Sequence, residues 1–106
     1  MTQCIRTAAM ILLAASLAIP ALAEDTAALY KTKCAMCHGA DGLAATPIAK
    51  NLKVLSFKAP AMVSATDAQF IASTANGKGA KMPAYKGKLT DAQIKDLVSY
   101  IRTLQR

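Results

Sequence analysis

The clearest periodicity lies at the C-terminal end of the chain, where Ile94, Leu97, Val98, Ile101 and Leu104 recur at helical spacing, with Lys95, Asp96, Ser99 and Arg102 on the opposite side. Thr90 and Gln93 form a capping box, and Leu89 before the cap pairs with Ile94 as a hydrophobic staple, so the helix begins just after Thr90. A second helix is marked in the same way. Thr66 with Gln69 caps it, Phe70, Ile71 and Thr74 share a face, and Asn76-Gly77 ends it. Nearer the N-terminus, Asp25 or Thr26 caps a helix through Leu29 and Tyr30, with Lys31 and Lys33 on its wet side. It continues through Cys34 to His38 and stops at Gly39, which is expected in the left-handed position. Residues 43 to 65 keep no period and are interrupted by Pro47 and Pro60, which predicts loop with one short helical turn around Asn51 to Leu55. So long an irregular stretch in a small domain needs something to wrap. Leu52, Val54, Leu55 and Phe57 are expected to line that object, with Lys50, Lys53 and Lys58 turned outward. No strand-period run, internal repeat or low-complexity tract is visible, so the fold class is all-α.

Residues 1–23 read differently. Arg6 is the only charge before Glu24, Ala8 to Ile19 is apolar apart from Ser16, and Pro20 leads into Ala21-Leu22-Ala23, an A-x-A cleavage site. The apolar run is too short for the roughly 20 residues that span a bilayer, so a cleaved secretory leader is expected and export to the periplasm with it. Cys4 falls inside this leader, ahead of the apolar run. Residues 24–106 would then be one domain of 83 residues carrying 12 basic and 6 acidic side chains, a formal +6. A chain of that size seldom gains enough from an apolar core alone, and a bound group would help to fill it. The positive balance points to an acidic partner protein. Nucleic acid is disfavoured because the lysines are scattered through loops and the chain is expected to be exported.

The chemistry is concentrated in Cys34-Ala35-Met36-Cys37-His38, a C-x-x-C-H sequence. Two thiols three positions apart on a helix can both reach neighbouring edges of a porphyrin, and the histidine directly after them stands under the ring as an iron ligand. Zinc would ask for a second ligand pair, but His38 is the only histidine and Cys4 leaves with the leader. A thiol redox pair would ask for a preceding strand, which is missing. A simple Cys34–Cys37 disulfide is the last alternative. Haem c, one per chain, fits best, with Cys34 and Cys37 as covalent anchors and His38 as axial ligand. A second iron ligand would come from methionine. Met36 lies between the cysteines and cannot reach across the ring, which leaves Met82 and Met62. Met82 is the better candidate, because it sits in a glycine-bearing loop, and Pro83 biases it away from the helical region. Met62 also neighbours a proline, Pro60, but precedes a helix cap.

Taken together, Leu29-Tyr30, the Cys34 to Gly39 stretch, Asp41-Gly42, the Lys81-Met82-Pro83-Ala84-Tyr85 loop and the final helix resemble the small class I cytochromes c of bacteria and algae. The resemblance covers essentially all of residues 24–106. It implies three to four short helices and loops wrapped around one covalently bound haem, with the first and last helices crossing beside one haem edge. It also implies His38 and Met82 as axial ligands and a pocket that includes Tyr85 and Leu52. The chain lacks tryptophan and the glycine-proline pair that several relatives carry, so Pro47 becomes the candidate for the carbonyl that orients the proximal imidazole. The implied function is one-electron shuttling between membrane or periplasmic redox partners, as a monomer touching membrane complexes only peripherally. No catalytic residue is expected. The rival reading is a small peroxidase-like or gas-reacting haem protein in which Met82 dissociates, and it lacks a visible distal acid-base group.

Overall fold

The computed structural model describes residues 25–106, which form six helical segments: α1 (Thr26–Lys33), α2 (Ala35–His38), α3 (Pro47–Leu52), α4 (Pro60–Ser64), α5 (Asp67–Asn76) and α6 (Asp91–Leu104). The expected leader, with Cys4, lies outside the described residues. Among the described residues the only β pairings are two isolated bridges, and no helix is long and apolar enough to cross a membrane.

Both capping boxes form, each with the threonine hydroxyl accepting from the glutamine N–H and the glutamine side chain accepting from the threonine N–H. The α6 stripe is buried as its spacing predicts: Ile94, Leu97, Val98 and Ile101 are each 6% exposed or less. This face meets α1 through Leu29 and Tyr30 and α5 through Phe70, so α6 is the element on which the other two rest. The Tyr30 ring leans on Tyr100, with centroids 5.0 Å apart, and its hydroxyl donates to the Gly39 carbonyl at 2.6 Å. Burial of that hydroxyl raises the Tyr30 pKa well above the usual phenol value, so it stays a neutral donor.

Two features depart from the sequence reading. The stretch from 43 to 65 contains two helices, because Pro47 and Pro60 occupy the first helical turn, where a missing N–H costs nothing, and so start helices rather than interrupt loop. Thr46 caps α3 by accepting from the Ala49 N–H, and the helix ends at Lys53 in the left-handed conformation, displacing the turn expected around Asn51 to Leu55. The first helix is also broken at Cys34 (φ −121°, ψ −37°), which separates α1 from α2. Gly39 then ends α2 at φ 82°, ψ 152°, an extended positive-φ conformation open essentially to glycine, rather than in the left-handed helical region.

Arg102 is not on an open polar face. It donates to Asp67 at 2.8 Å, to the Ala65 carbonyl at 2.6 Å and to Gln105 at 2.9 Å, and its guanidinium lies 4.6 Å from the Phe70 ring centroid. It thereby ties α6 to the α4–α5 junction. Asp67 is largely exposed, so its charge adds little, whereas the carbonyl bond and the stacking are sheltered. Arg102→Met is expected to lower the unfolding free energy by about 1–3 kcal/mol, and Asp67→Asn by less than about 1 kcal/mol. Urea denaturation of the two variants checks this, and equal losses would put the stabilisation in the ion pair.

Candidate haem site

The break at Cys34 turns α2 inward beneath a cavity of about 930 Å³, within the size range of cofactor sites. The Cys34 carbonyl accepts from the His38 N–H at 3.0 Å and the Cys37 N–H at 3.2 Å, a single helical turn that holds both thiols and the imidazole on the cavity wall. Thr46 braces this turn from outside. Its hydroxyl donates to the Met36 carbonyl at 2.9 Å while capping α3, which couples α2 to the next helix. Burial, together with the neighbouring Cys37, pushes the Cys34 thiol up to about 11, so it stays protonated near neutral pH. No disulfide joins Cys34 to Cys37.

The His38 ring stacks on Phe57, with centroids 4.6 Å apart and planes within 13°. Its burial lowers the imidazole pKa and favours the neutral form that can bind a metal. Its buried Nδ1 has no hydrogen-bond partner among the described residues. Pro47, expected to supply a carbonyl there, does not: it is exposed at the start of α3 and does not line the cavity.

The rest of the wall comes from two segments. From α4 and α5 come Met62, Ala65 and Phe70; from the loop after α5 come Met82, Pro83 and Tyr85. Both candidate methionines therefore reach the cavity that His38 lines. Leu52, Val54, Leu55 and Phe57 line its edge as the sequence predicts. Phe70, read from sequence only as one face of a helix, is also a wall residue. Of the lysines near Met82, Lys78 and Lys81 reach the cavity and Lys86 and Lys88 do not. Lys33 and Lys53 join them, and Lys53, in the left-handed conformation at the end of α3, stays exposed as expected. Among the described residues, no aspartate or glutamate lines this cavity.

These residues suit a covalently held porphyrin. Two cysteine side chains stand one turn apart, a half-buried imidazole with an orphaned Nδ1 lies beside them, and a largely apolar cavity opens above. Among the described residues no cluster of three or more His, Cys, Asp or Glu side chains forms a metal site of the kind that zinc would need. A C-x-x-C-H turn opening into such a cavity, inside a small helical fold, defines a c-type cytochrome.

Comparison with known proteins agrees. The family described as cytochrome c oxidase, cbb3-type, subunit III matches residues 21–101, most of the chain, and the chain belongs to this c-type cytochrome family. A cytochrome c6 of Nostoc sp. is 40% identical over 85 residues, 77% of this chain and 73% of that protein. A cytochrome c6 of Leptolyngbya boryana is 37% identical over 73 residues, 69% of this chain and 81% of that protein. Among solved structures, the KustC0563 c-type cytochrome superposes with a TM-score of 0.71 at 29% identity, covering 77% of this chain and 99% of that one. The protein is thus a small class I c-type cytochrome, and its cofactor is covalently bound haem c.

Proposed function

We propose that the chain is a periplasmic one-electron carrier in which Cys34 and Cys37 hold the haem by thioether bonds and His38 and Met82 are the axial iron ligands. The haem supplies reversible one-electron chemistry at iron. The protein supplies fixed ligation, exclusion of water and a docking face. The observation that carries this reading is the pair of soft and imidazole donors lining one cavity, His38 from α2 and Met82 from the loop after α5. Met82 is preferred over Met62 because Met62 packs against the apolar core with Phe70, Leu97 and Ile101, whereas Met82 is not among the side chains committed to that core. The reactive-haem alternative needs a polar group free to move protons beside the bound ligand. Arg102 is occupied by Asp67, Ala65 and Gln105, and His38 is the only histidine.

The docking face follows from charge. Lys33, Lys53, Lys78 and Lys81 surround the cavity without an acidic residue among them, which favours an acidic redox protein as partner. Electron transfer to such a partner is expected to slow steeply with salt, by tenfold or more between about 10 mM and 200 mM, as the Debye length contracts from roughly 30 Å to under 10 Å. Stopped-flow rates against ionic strength check this. A flat profile would reject lysine steering.

A further inference from the structure

The loop from Gly77 to Leu89 is held to the body of the protein at one residue more than any other, Tyr85. Its N–H donates to the Thr74 carbonyl at 3.1 Å, which satisfies one of the last acceptors of α5. Its carbonyl accepts from the Lys88 and Leu89 N–H groups, each at 2.9 Å, closing the turn that leads into α6. Its hydroxyl crosses 52 residues of sequence to donate to the Lys33 carbonyl at 3.0 Å, at the end of α1 and directly before Cys34. The ring between these anchors lines the cavity beside Cys34, Cys37 and Met82. Without the hydroxyl bond, every hydrogen bond from this loop to the rest of the described residues would run to α5, from Gly77, Tyr85 and Lys86, with the Leu89 side chain packed on the core.

We propose that the Tyr85 hydroxyl is a positioning group that latches the Met82 loop to the end of α1, holding the distal ligand shut against the helix turn that carries the haem anchors. This rests on the reading of Met82 as an iron ligand and goes beyond it. The latch makes no contact with iron. It acts by lowering the fraction of molecules in which the loop has swung away and the sixth position is open. An external ligand senses that fraction, because its apparent affinity scales with the population competent to bind.

The test uses the intact, haem-loaded protein in its oxidised form, titrated with imidazole and followed by visible absorbance. Tyr85→Phe keeps the ring and removes only the latch, and it is expected to bind imidazole about 3- to 10-fold more tightly, the effect of one net hydrogen bond on the open fraction. Amide exchange at Tyr85 and Lys86 should quicken alongside. Tyr30→Phe is the comparison, because it removes a buried hydroxyl bond on the α2 side without touching the loop. It is expected to lower global stability and leave imidazole affinity unchanged. Equal tightening in both variants, or none in Tyr85→Phe, overturns the latch. Met82→Ala separates this failure from that of the ligand reading. If Met82→Ala tightens imidazole strongly and Tyr85→Phe does not, only the latch is wrong. If wild type already binds as tightly as Met82→Ala, the ligation falls and the latch with it.

Discussion

Met82→Ala is expected to leave a folded protein with an altered visible spectrum, an open sixth position and a midpoint potential lowered by on the order of 0.1 to 0.2 V, a fraction of the roughly 0.8 V that axial ligands can span. The direction follows from the proposed ligand. A thioether is soft and favours the reduced iron, so its loss, with water or another hard donor in its place, favours the oxidised state. That the fold survives follows from where Met82 sits: it is half-buried on the cavity wall and stands outside the core built on Leu29, Tyr30, Phe70 and Leu97. The reduced variant should bind carbon monoxide at neutral pH where wild type does not. Met62→Ala is expected to do the reverse, costing stability through the core it packs against while leaving the spectrum alone. If the two variants exchange these phenotypes, Met62 is the ligand. Carbon monoxide binding by wild type would instead favour the reactive-haem reading.

Gly77→Ala should be the most damaging single methyl group in the loop. Gly77 closes α5 at φ 74°, ψ −177°, a region essentially restricted to glycine. A β-carbon there would stand 2.5 Å from the Met82 carbonyl oxygen, 2.8 Å from the Ala84 nitrogen and 2.9 Å from the Pro83 carbonyl carbon. All three are backbone atoms, so no rotamer change relieves the clash, and the loop must move as a body. Movement would break the Lys78 N–H bond to the Met82 carbonyl, 2.9 Å long, and displace the proposed ligand. Strain and overpacking together predict a loss of about 2–5 kcal/mol, read as a lower denaturant midpoint, together with partial loss of the wild-type spectrum. Wild-type stability in Gly77→Ala would mean that the loop is far more pliable than its bonding implies.

The two predictions also divide what could be read along the chain from what could not. The caps at Thr66 and Thr90, the burial stripe of α6 and the helical turn over Cys34 to His38 were all legible, because each depends on residues close along the chain. The edge residues Leu52, Val54, Leu55 and Phe57 were legible as a lining because an irregular apolar stretch implied something to surround. The helices begun by Pro47 and Pro60 are legible only in part, since Thr46-Pro47 is a cap followed by a first-turn proline, whereas proline elsewhere interrupts helices.

What sequence alone determined, then, was the cofactor chemistry and the all-α class, both written in short-range spacing. Tertiary structure decided the rest: that Phe70 joins the cavity wall, that Arg102 lies across Phe70, that no described residue partners His38 Nδ1, and that Tyr85 meets Lys33. These are contacts between segments distant along the chain, or backbone conformations set by them. Spacing and propensity report only on neighbours along the chain, so such contacts exist only once α1, α5 and α6 have closed on one another.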